Sequence, residues 1–424
     1  MIEKGRKIIT AIESFPTIQQ LATRLDPLST LLEQQKKIRS VNQAHHCIAS
    51  ETSQFSTLNG PLQGVGMIHK DIFQLEQHMP GLGVNTGYAE AKVTRARAIT
   101  KLYEAGASIL GTAVMAPYAC GATSQNSSFP RCLNPLDPHW MVGGSSSGSA
   151  VAVASGMTPV SLGTDTSGSV RIPAASCAIL GLKTTPGVIS TEGVMTLSPT
   201  LDTVGILGKH VQDLQLILNI LTEVPLQDIA PAHNIAYWIP EQLLSQTIFN
   251  GLRQFILTRY PKANQINFTD FEIYRKATEL IFSYELNQQF SNRLDDPTIT
   301  KTIRSICKRA QYISPEQYLE HIKSLTEHRQ QFIDQYLRDY DLIIIPCFSC
   351  SLPDWQEVEI GHPQFHQEKL MGLFHLMGFI NYLGLPAISI PIGLDADHRP
   401  LSVQVISRPL MEKNLLEFTQ QILA

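Results

Sequence analysis

The chain has 424 residues, 43% of them hydrophobic and 17% charged, with a formal net charge of -4. That composition is globular, with ample length for a large buried core. Lys and Arg are scattered, so the chain lacks the basic footprint of a nucleic-acid or membrane-surface binder, and no run of about 18 apolar residues predicts a membrane span.

The opening MIEKGRKIITAIESFPTIQQL reads as no secretory signal, because Glu13 and Pro16 interrupt its apolar stretch. Residues 1 to about 60 read as polar and helical, with Pro16 and Pro27 as breakers. Thr94 to Gly106 spaces Ala96, Ile99, Leu102 and Tyr103 as a helix and stops at glycine. Ala107 to Val114 is a short apolar run suited to a buried strand. From Trp140 to Gly181 the composition shifts to Gly, Ser, Ala and Val, and residues 206 to 340 return to long helices. One of these starts at Ser314-Pro315-Glu316-Gln317, a capping box with proline at the first helical position, and Leu319, Ile322, Leu325, Phe332, Ile333 and Tyr336 follow on one face for core packing. Leu342 to Ile345 predicts a strand stopped by Pro346; Leu385 to Pro391 and Leu401 to Ile406 predict two more, joined by a turn around Asp397-His398. Strands mixed with helices throughout predict an α/β protein. Seven cysteines, an odd number widely spread, suit free thiols in a reducing cytoplasm.

The stretch Val142-Gly-Gly-Ser-Ser-Ser-Gly-Ser-Ala150 is too closely followed by small apolar residues for a flexible linker. No Lys-Ser or Lys-Thr pair follows its last glycine, which argues against a phosphate loop. Gly144-Ser145-Ser146-Ser147-Gly148 formally matches G-x-S-x-G and would make Ser146 the nucleophile of an elbow, but Pro135, Asp137 and Pro138 crowd out the strand that must precede it. A second run, Gly163-Thr-Asp-Thr-Ser-Gly-Ser-Val-Arg-Ile-Pro173, could turn successive backbone N–H groups toward one spot and so hold an oxyanion beside Ser169.

A nucleophilic serine needs a base. None of the thirteen histidines stands beside these serines in sequence. Lys70 ends the apolar run Gly64-Val-Gly-Met-Ile-His69 and could serve if neutral. Bringing a lysine from about 10.4 to near 7 takes roughly 4 to 5 kcal/mol of burial. Without further context a lone lysine is a solvated surface charge.

Three ordered blocks supply that context. Residues 61 to 71 (PLQGVGMIHKD), 134 to 156 (NPLDPHWMVGGSSSGSAVAVASG) and 163 to 183 (GTDTSGSVRIPAASCAILGLK) resemble the blocks of the amidase signature enzymes. Leu197-Ser-Pro-Thr-Leu-Asp202, Asn381-Tyr-Leu-Gly-Leu-Pro386 and Pro400-Leu-Ser-Val-Gln404 extend the resemblance over nearly the whole chain. The resemblance implies one α/β/α domain over residues 1–424 around a large mixed twisted sheet. In it, 1–60 is an N-terminal helical segment, 61–205 the signature core, 206–340 a variable helical substrate cover and 341–424 the closing strands. It implies a Ser–cis-Ser–Lys triad of Ser169, Ser145 and Lys70, with the backbone N–H groups of Thr166, Ser167, Gly168 and Ser169 holding the oxyanion. Ser146 and Ser147 would orient Lys70, and Asp165 and Arg171 would fix the loop. The reaction implied is hydrolysis of a linear carboxylic amide through an acyl-enzyme, with a small-molecule substrate and without metal, cofactor, nucleic acid or membrane; homodimers are common in the family.

The sequence departs from the family at His69, which could lower the neighbouring lysine further if protonated or, as strand alternation favours, point outward, and at Pro117, Gln125 and Thr184-Thr-Pro-Gly187. Cys347, Cys350, His362 and His366 resemble a zinc spacing with a short middle gap, a reading placed below free thiols. Three functions remain open: a stand-alone amidase, an amidase component of an assembly such as a tRNA-dependent amidotransferase, and a silent scaffold.

Overall fold

The apolar runs become strands, and the strands divide between two sheets. The computed structural model describes residues 16–24, 26–76, 78–84, 94–227 and 234–424. β1 (Ile48–Gln54), β2 (Gly66–Lys70) and β3 (Ser108–Ala113) form a three-stranded sheet in the order β1-β3-β2, with β3 antiparallel to β1 and parallel to β2. β4 (Val160–Asp165), β5 (Leu180–Lys183), β6 (Thr203–Gly208), β7 (Ile235–Tyr237), β8 (Asn264–Gln265), β9 (Leu342–Pro346), β10 (Ala387–Leu394) and β11 (Pro400–Ile406) form an eight-stranded sheet in the order β4-β6-β5-β10-β11-β9-β7-β8. This second sheet is mixed: β7 runs parallel to its neighbours β8 and β9, and the other pairs are antiparallel. The fold is α/β, with a large mixed sheet flanked by helices. Among the described residues no helix is long and apolar enough to cross a membrane.

Every residue of β2 through β6, β9 and β11 is buried. Strands covered on both faces take small or branched apolar residues without alternation, as these do. The facing edges of the two sheets, β2 and β4, lie side by side without a backbone ladder. Side chains join them instead. Thr158 Oγ1 donates to the Gly66 carbonyl (3.3 Å), Leu162 N–H donates to His69 Nδ1 (3.0 Å), and Lys70 Nζ donates to Thr164 Oγ1 (2.7 Å).

Three expectations change. Residues 48–54 form β1 rather than helix: the segment pairs along one edge only and half of it faces solvent, so it carries no apolar pattern. The span 206–340 contains β7 and β8, which are too short to show a period; β7 takes its register from β9 and β8 from β7. Ile322, Leu325, Phe332, Ile333 and Tyr336 pack into the second apolar cluster as expected, but Leu319 is 50% exposed and its neighbour Tyr318 takes the inward place. The capping box of the helix Pro315–Phe332, at Ser314 and Gln317, forms as predicted. The first fifteen residues of the expected N-terminal helical segment lie outside the described residues.

The helix Ser147–Ala154 packs closer to backbone than any side chain allows. A Cβ at Gly148 would stand 2.4 Å from the Cys47 carbonyl oxygen and 2.6 Å from Val114 N. Both obstacles are main chain already hydrogen-bonded, Val114 N–H to the Cys47 carbonyl (2.8 Å) and Gly148 N–H to the Val114 carbonyl (2.8 Å), so neither can step aside. Gly148→Ala is expected to cost about 3 kcal/mol, seen as a lowered midpoint in urea unfolding.

Candidate active site

The helix Ser147–Ala154 starts just after the turn Gly143-Gly-Ser145, in which the Gly144–Ser145 peptide is cis. The turn is held from both sides: Gly144 N–H donates to the Ala122 carbonyl (2.9 Å) and the Ser145 carbonyl accepts from Ala116 N–H (3.1 Å). At Ser145 Oγ it meets Lys70, the last residue of β2. Lys70 Nζ lies 2.8 Å from Ser145 Oγ and 2.7 Å from Thr164 Oγ1, and its side chain is wholly buried. Burial pushes this lysine down to about 7; the carboxylates of Asp202 and Asp165 oppose the fall.

Ser169 ends the turn that follows β4. Its carbonyl accepts from Ser146 N–H (3.2 Å), which ties the two glycine-rich segments together. At 9% it is the most accessible of the buried serines. The turn is wound around Asp165, whose carboxylate accepts from the N–H groups of Gly168 (2.7 Å), Val170 (3.2 Å) and Arg171 (3.4 Å). Arg171 closes on the same carboxylate through Nε (3.0 Å) and Nη2 (2.9 Å), with both partners fully buried. Burial works to raise Asp165, but the guanidinium outweighs it and holds the carboxyl well below the usual range. Asn381 and Gln404 complete the cage: Arg171 donates to Asn381 Oδ1 (2.7 Å) and Gln404 Oε1 (2.8 Å), and Asn381 donates to Asp165 Oδ1 (3.0 Å).

Four sequence expectations are corrected by these bonds. The Gly168 N–H is taken by Asp165 Oδ1, because a buried carboxylate must be saturated with donors, and so it does not face a substrate. Ser146 Oγ donates to the Thr164 carbonyl (3.4 Å) and Ser147 Oγ to the Val114 carbonyl (3.2 Å); neither reaches Lys70. The hydroxyl that shares Lys70 Nζ with Ser145 is that of Thr164, a residue inside one of the three blocks whose place only strand geometry reveals. His69 is 1% exposed rather than outward: alternation puts it opposite Lys70, but both sides of β2 are covered.

Two further residues were not anticipated as site groups. Asp202 accepts from Thr166 Oγ1 (2.6 Å) and from the N–H groups of Leu197 (2.7 Å) and Ser198 (3.0 Å), and burial pushes it up to about 6. Lys183, also buried, is pushed to about 7 by burial and by Arg171, yet it donates only to the Thr184 and Leu385 carbonyls. A lowered lysine alone therefore does not single out a candidate base; of the two, Lys70 is the one in contact with a serine hydroxyl. A cavity of about 160 Å³ meets this centre at Thr164, Asp202 and Thr203. A larger one, about 200 Å³, lies away from the serines, between Gln34 and Lys209. Cys347 Sγ sits against Ser389 Oγ (3.5 Å) and Cys350 Sγ against the Lys369 carbonyl (3.8 Å).

The profile of the family described as Amidase matches residues 31–232 and 255–416. The chain belongs to the amidase family. Among relatives of this amidase-family chain, the 2-amino-5-chloromuconic acid deaminase of Comamonas testosteroni is 27% identical, over 97% of this chain and 92% of that protein. The fatty acid amide hydrolase of Arabidopsis thaliana is also 27% identical, over 84% of this chain; the match spans only 63% of that longer protein. A glutamyl-tRNA(Gln) amidotransferase subunit of Symbiobacterium thermophilum is 27% identical, over 76% of this chain and 74% of its own length. A crystal structure of an amidase superposes with a TM-score of 0.82 at 22% identity, covering 98% of both chains. The corresponding amidotransferase subunit from Thermotoga maritima superposes at 0.80 and 21%, covering 96% of this chain and 94% of that one. These superpositions speak for the fold of the amidase-family chain.

Proposed function

We propose that this chain hydrolyses the C–N bond of a small linear carboxylic amide, with Ser169 as nucleophile, Ser145 as proton relay and neutral Lys70 as base. The observation that carries the reading is the wholly buried Lys70 side chain, whose Nζ lies 2.8 Å from the hydroxyl oxygen of Ser145. Lys70 draws the Ser145 proton as Ser145 draws the Ser169 proton, and Ser169 Oγ attacks the amide carbon. The N–H groups of Thr166, Ser167 and Ser169 remain as donors for the oxyanion, since that of Gly168 is engaged. The proton returns through Ser145 to the departing amine. Water then enters, the relay takes its proton in turn, and the acyl-enzyme is released as a carboxylate. The chemistry requires no metal or cofactor. The helices between residues 271 and 332 act as the substrate cover in this reading: Glu285 accepts from the hydroxyls of Ser198 and Thr200 and from Tyr318 (2.8 Å), fastening the cover to the loop before Asp202. Seven free cysteines support a cytoplasmic setting.

The amidotransferase subunits among the relatives favour a second reading, in which the same chemistry serves a larger assembly. Sizing of the native complex separates the two.

The test is fluorophosphonate labelling followed by peptide mass mapping, beside ammonia release across an amide panel. The adduct is expected on Ser169, and Ser169→Ala is expected to lose both labelling and turnover. An adduct on Ser146 would restore the elbow reading; full activity in Ser169→Ala would remove Ser169 from the mechanism.

A further inference from the structure

We infer that His69 is a positioning residue for Lys70: its ring takes the place of a backbone carbonyl at the seam between β2 and β4, and so sets the lysine between Ser145 and Thr164. The inference rests on the reading of Lys70 as base.

The outer edge of β4 is unusual in what it bonds to. An edge strand presents a row of N–H and C=O groups that must find partners when buried. Here the partners are side chains. Leu162 N–H donates to His69 Nδ1 (3.0 Å), the Leu162 carbonyl accepts from Ser149 Oγ (3.2 Å), and the Thr164 carbonyl accepts from Ser146 Oγ (3.4 Å). Thr164 also offers its own hydroxyl to Lys70 (2.7 Å). Two residues of β4 thus gauge the positions of both the lysine strand and the serine turn. The bonds at 69 and 70 reach positions 162 and 164 in the same direction, so β2 lies parallel to β4, one side chain away from it.

Among the described residues, the bond from Leu162 is the only one that carries a backbone N–H of β4 to β2. Its acceptor sits on the residue next to Lys70, where a displacement passes directly to the neighbouring Cα. Because Nδ1 accepts, the ring carries its proton on Nε2 and is neutral. Burial pushes the imidazole down to about 3, so it stays an acceptor across the working range of the enzyme. Nε2 has no hydrogen-bond partner among the described residues, and the ring meets Phe73 edge-on, with centroids 6.3 Å apart. Nothing besides the Leu162 bond accounts for an imidazole at this place. A merely apolar side chain would fill the space but leave the Leu162 N–H buried and unpaired.

The experiment measures the rate of fluorophosphonate labelling at Ser169 against pH for the wild type and three variants. His69→Asn keeps an acceptor on the same γ-carbon position as Nδ1. His69→Gln moves it one carbon outward, and His69→Leu removes it. The Asn variant is expected to keep the wild-type profile. In the Gln and Leu variants β2 loosens, water reaches Lys70, and the lysine rises toward its solution value. The acid limb then shifts up by about one pH unit, and labelling at pH 7 falls about fivefold. If His69→Leu does not fold, Asn against Gln still decides. Equal profiles for Asn and Gln, or an unshifted acid limb in a folded Leu variant, would overturn the inference. If wild-type Ser169 does not label at all, the mechanism fails instead, and the two failures are told apart.

Discussion

Lys70→Met is expected to lower Ser169 labelling and amide turnover by about a thousandfold while making the protein more stable. The two effects share one cause. In the folded chain the lysine is held at about 7 by burial, against its solution value near 10.4. Below pH 7 the ammonium is charged in both the folded and unfolded states, and folding must strip it of water. Between about 7 and 10.4 the unfolded chain binds one more proton than the folded chain, so stability rises with pH. A shift of that size corresponds to about 4 kcal/mol of penalty at pH 7 and below. Methionine fills similar volume without the charge. Losing the bonds to Ser145 and Thr164 returns about 2 kcal/mol of the gain, leaving a net stabilisation of about 2 kcal/mol. Urea unfolding at pH 7 and pH 9 checks this: the wild type gains stability over that interval and the variant gains less. Activity has the matching sign. Labelling of the wild type falls about tenfold per pH unit below 7 and levels off above it. A variant less stable than the wild type at pH 7 would mean that Lys70 is not neutralised by burial.

Arg171→Leu acts in the opposite sense. It leaves the Asp165 carboxylate fully buried without its ion pair, and it strips Asn381 and Gln404 of a donor. Breaking one side of such a pair costs about 3–5 kcal/mol. The turn carrying Ser169 is wound on that carboxylate, so labelling should fall with stability. Adding Asp165→Asn to Arg171→Leu removes the stranded charge and is expected to recover part of the loss, measured as a coupling in urea unfolding. The pH dependence follows from the depressed carboxyl of Asp165. Its contribution is fully present above the ordinary carboxylate value near 3.9 and is lost as pH falls below that. The wild type therefore weakens in acid through this group, and the Arg171→Leu variant loses less there.

The strands with strong apolar runs, β3, β9, β10 and β11, were legible because both of their faces are buried. β1, β7 and β8 were not: they borrow register from neighbours, and a borrowed register leaves no period in their own residues. For the site, residue types in isolation read Lys70 as solvated, whereas it is wholly buried, and offered Ser146 as the tempting nucleophile. Only the three blocks in order named Lys70, Ser145 and Ser169. What those blocks could not convey was who bonds to whom. Thr164 faces Lys70 because it shares a side of β4 with Leu162, and Gly168 loses its N–H to Asp165 because the turn is wound that tightly. Asn381 and Gln404 were recognised only as parts of closing strands. A clearer signal was present: Gln404 stands directly between Val403 and Val405 and Asn381 between Ile380 and Tyr382, and an amide side chain so placed must find partners inside.

The seam between β2 and β4 gives the reaction centre an architectural character of its own. In the proposed mechanism the base, Lys70, arrives from one sheet and the nucleophile, Ser169, follows a strand of the other, and no continuous ladder carries one to the other. Proton transfer is consequently a property of how two plates are docked rather than of either plate. Whatever slides β2 along β4 by a fraction of a residue separates base from relay while leaving each sheet's own ladder whole. Turnover is thus a gauge of docking, sensitive to displacements too small to alter helix or strand content.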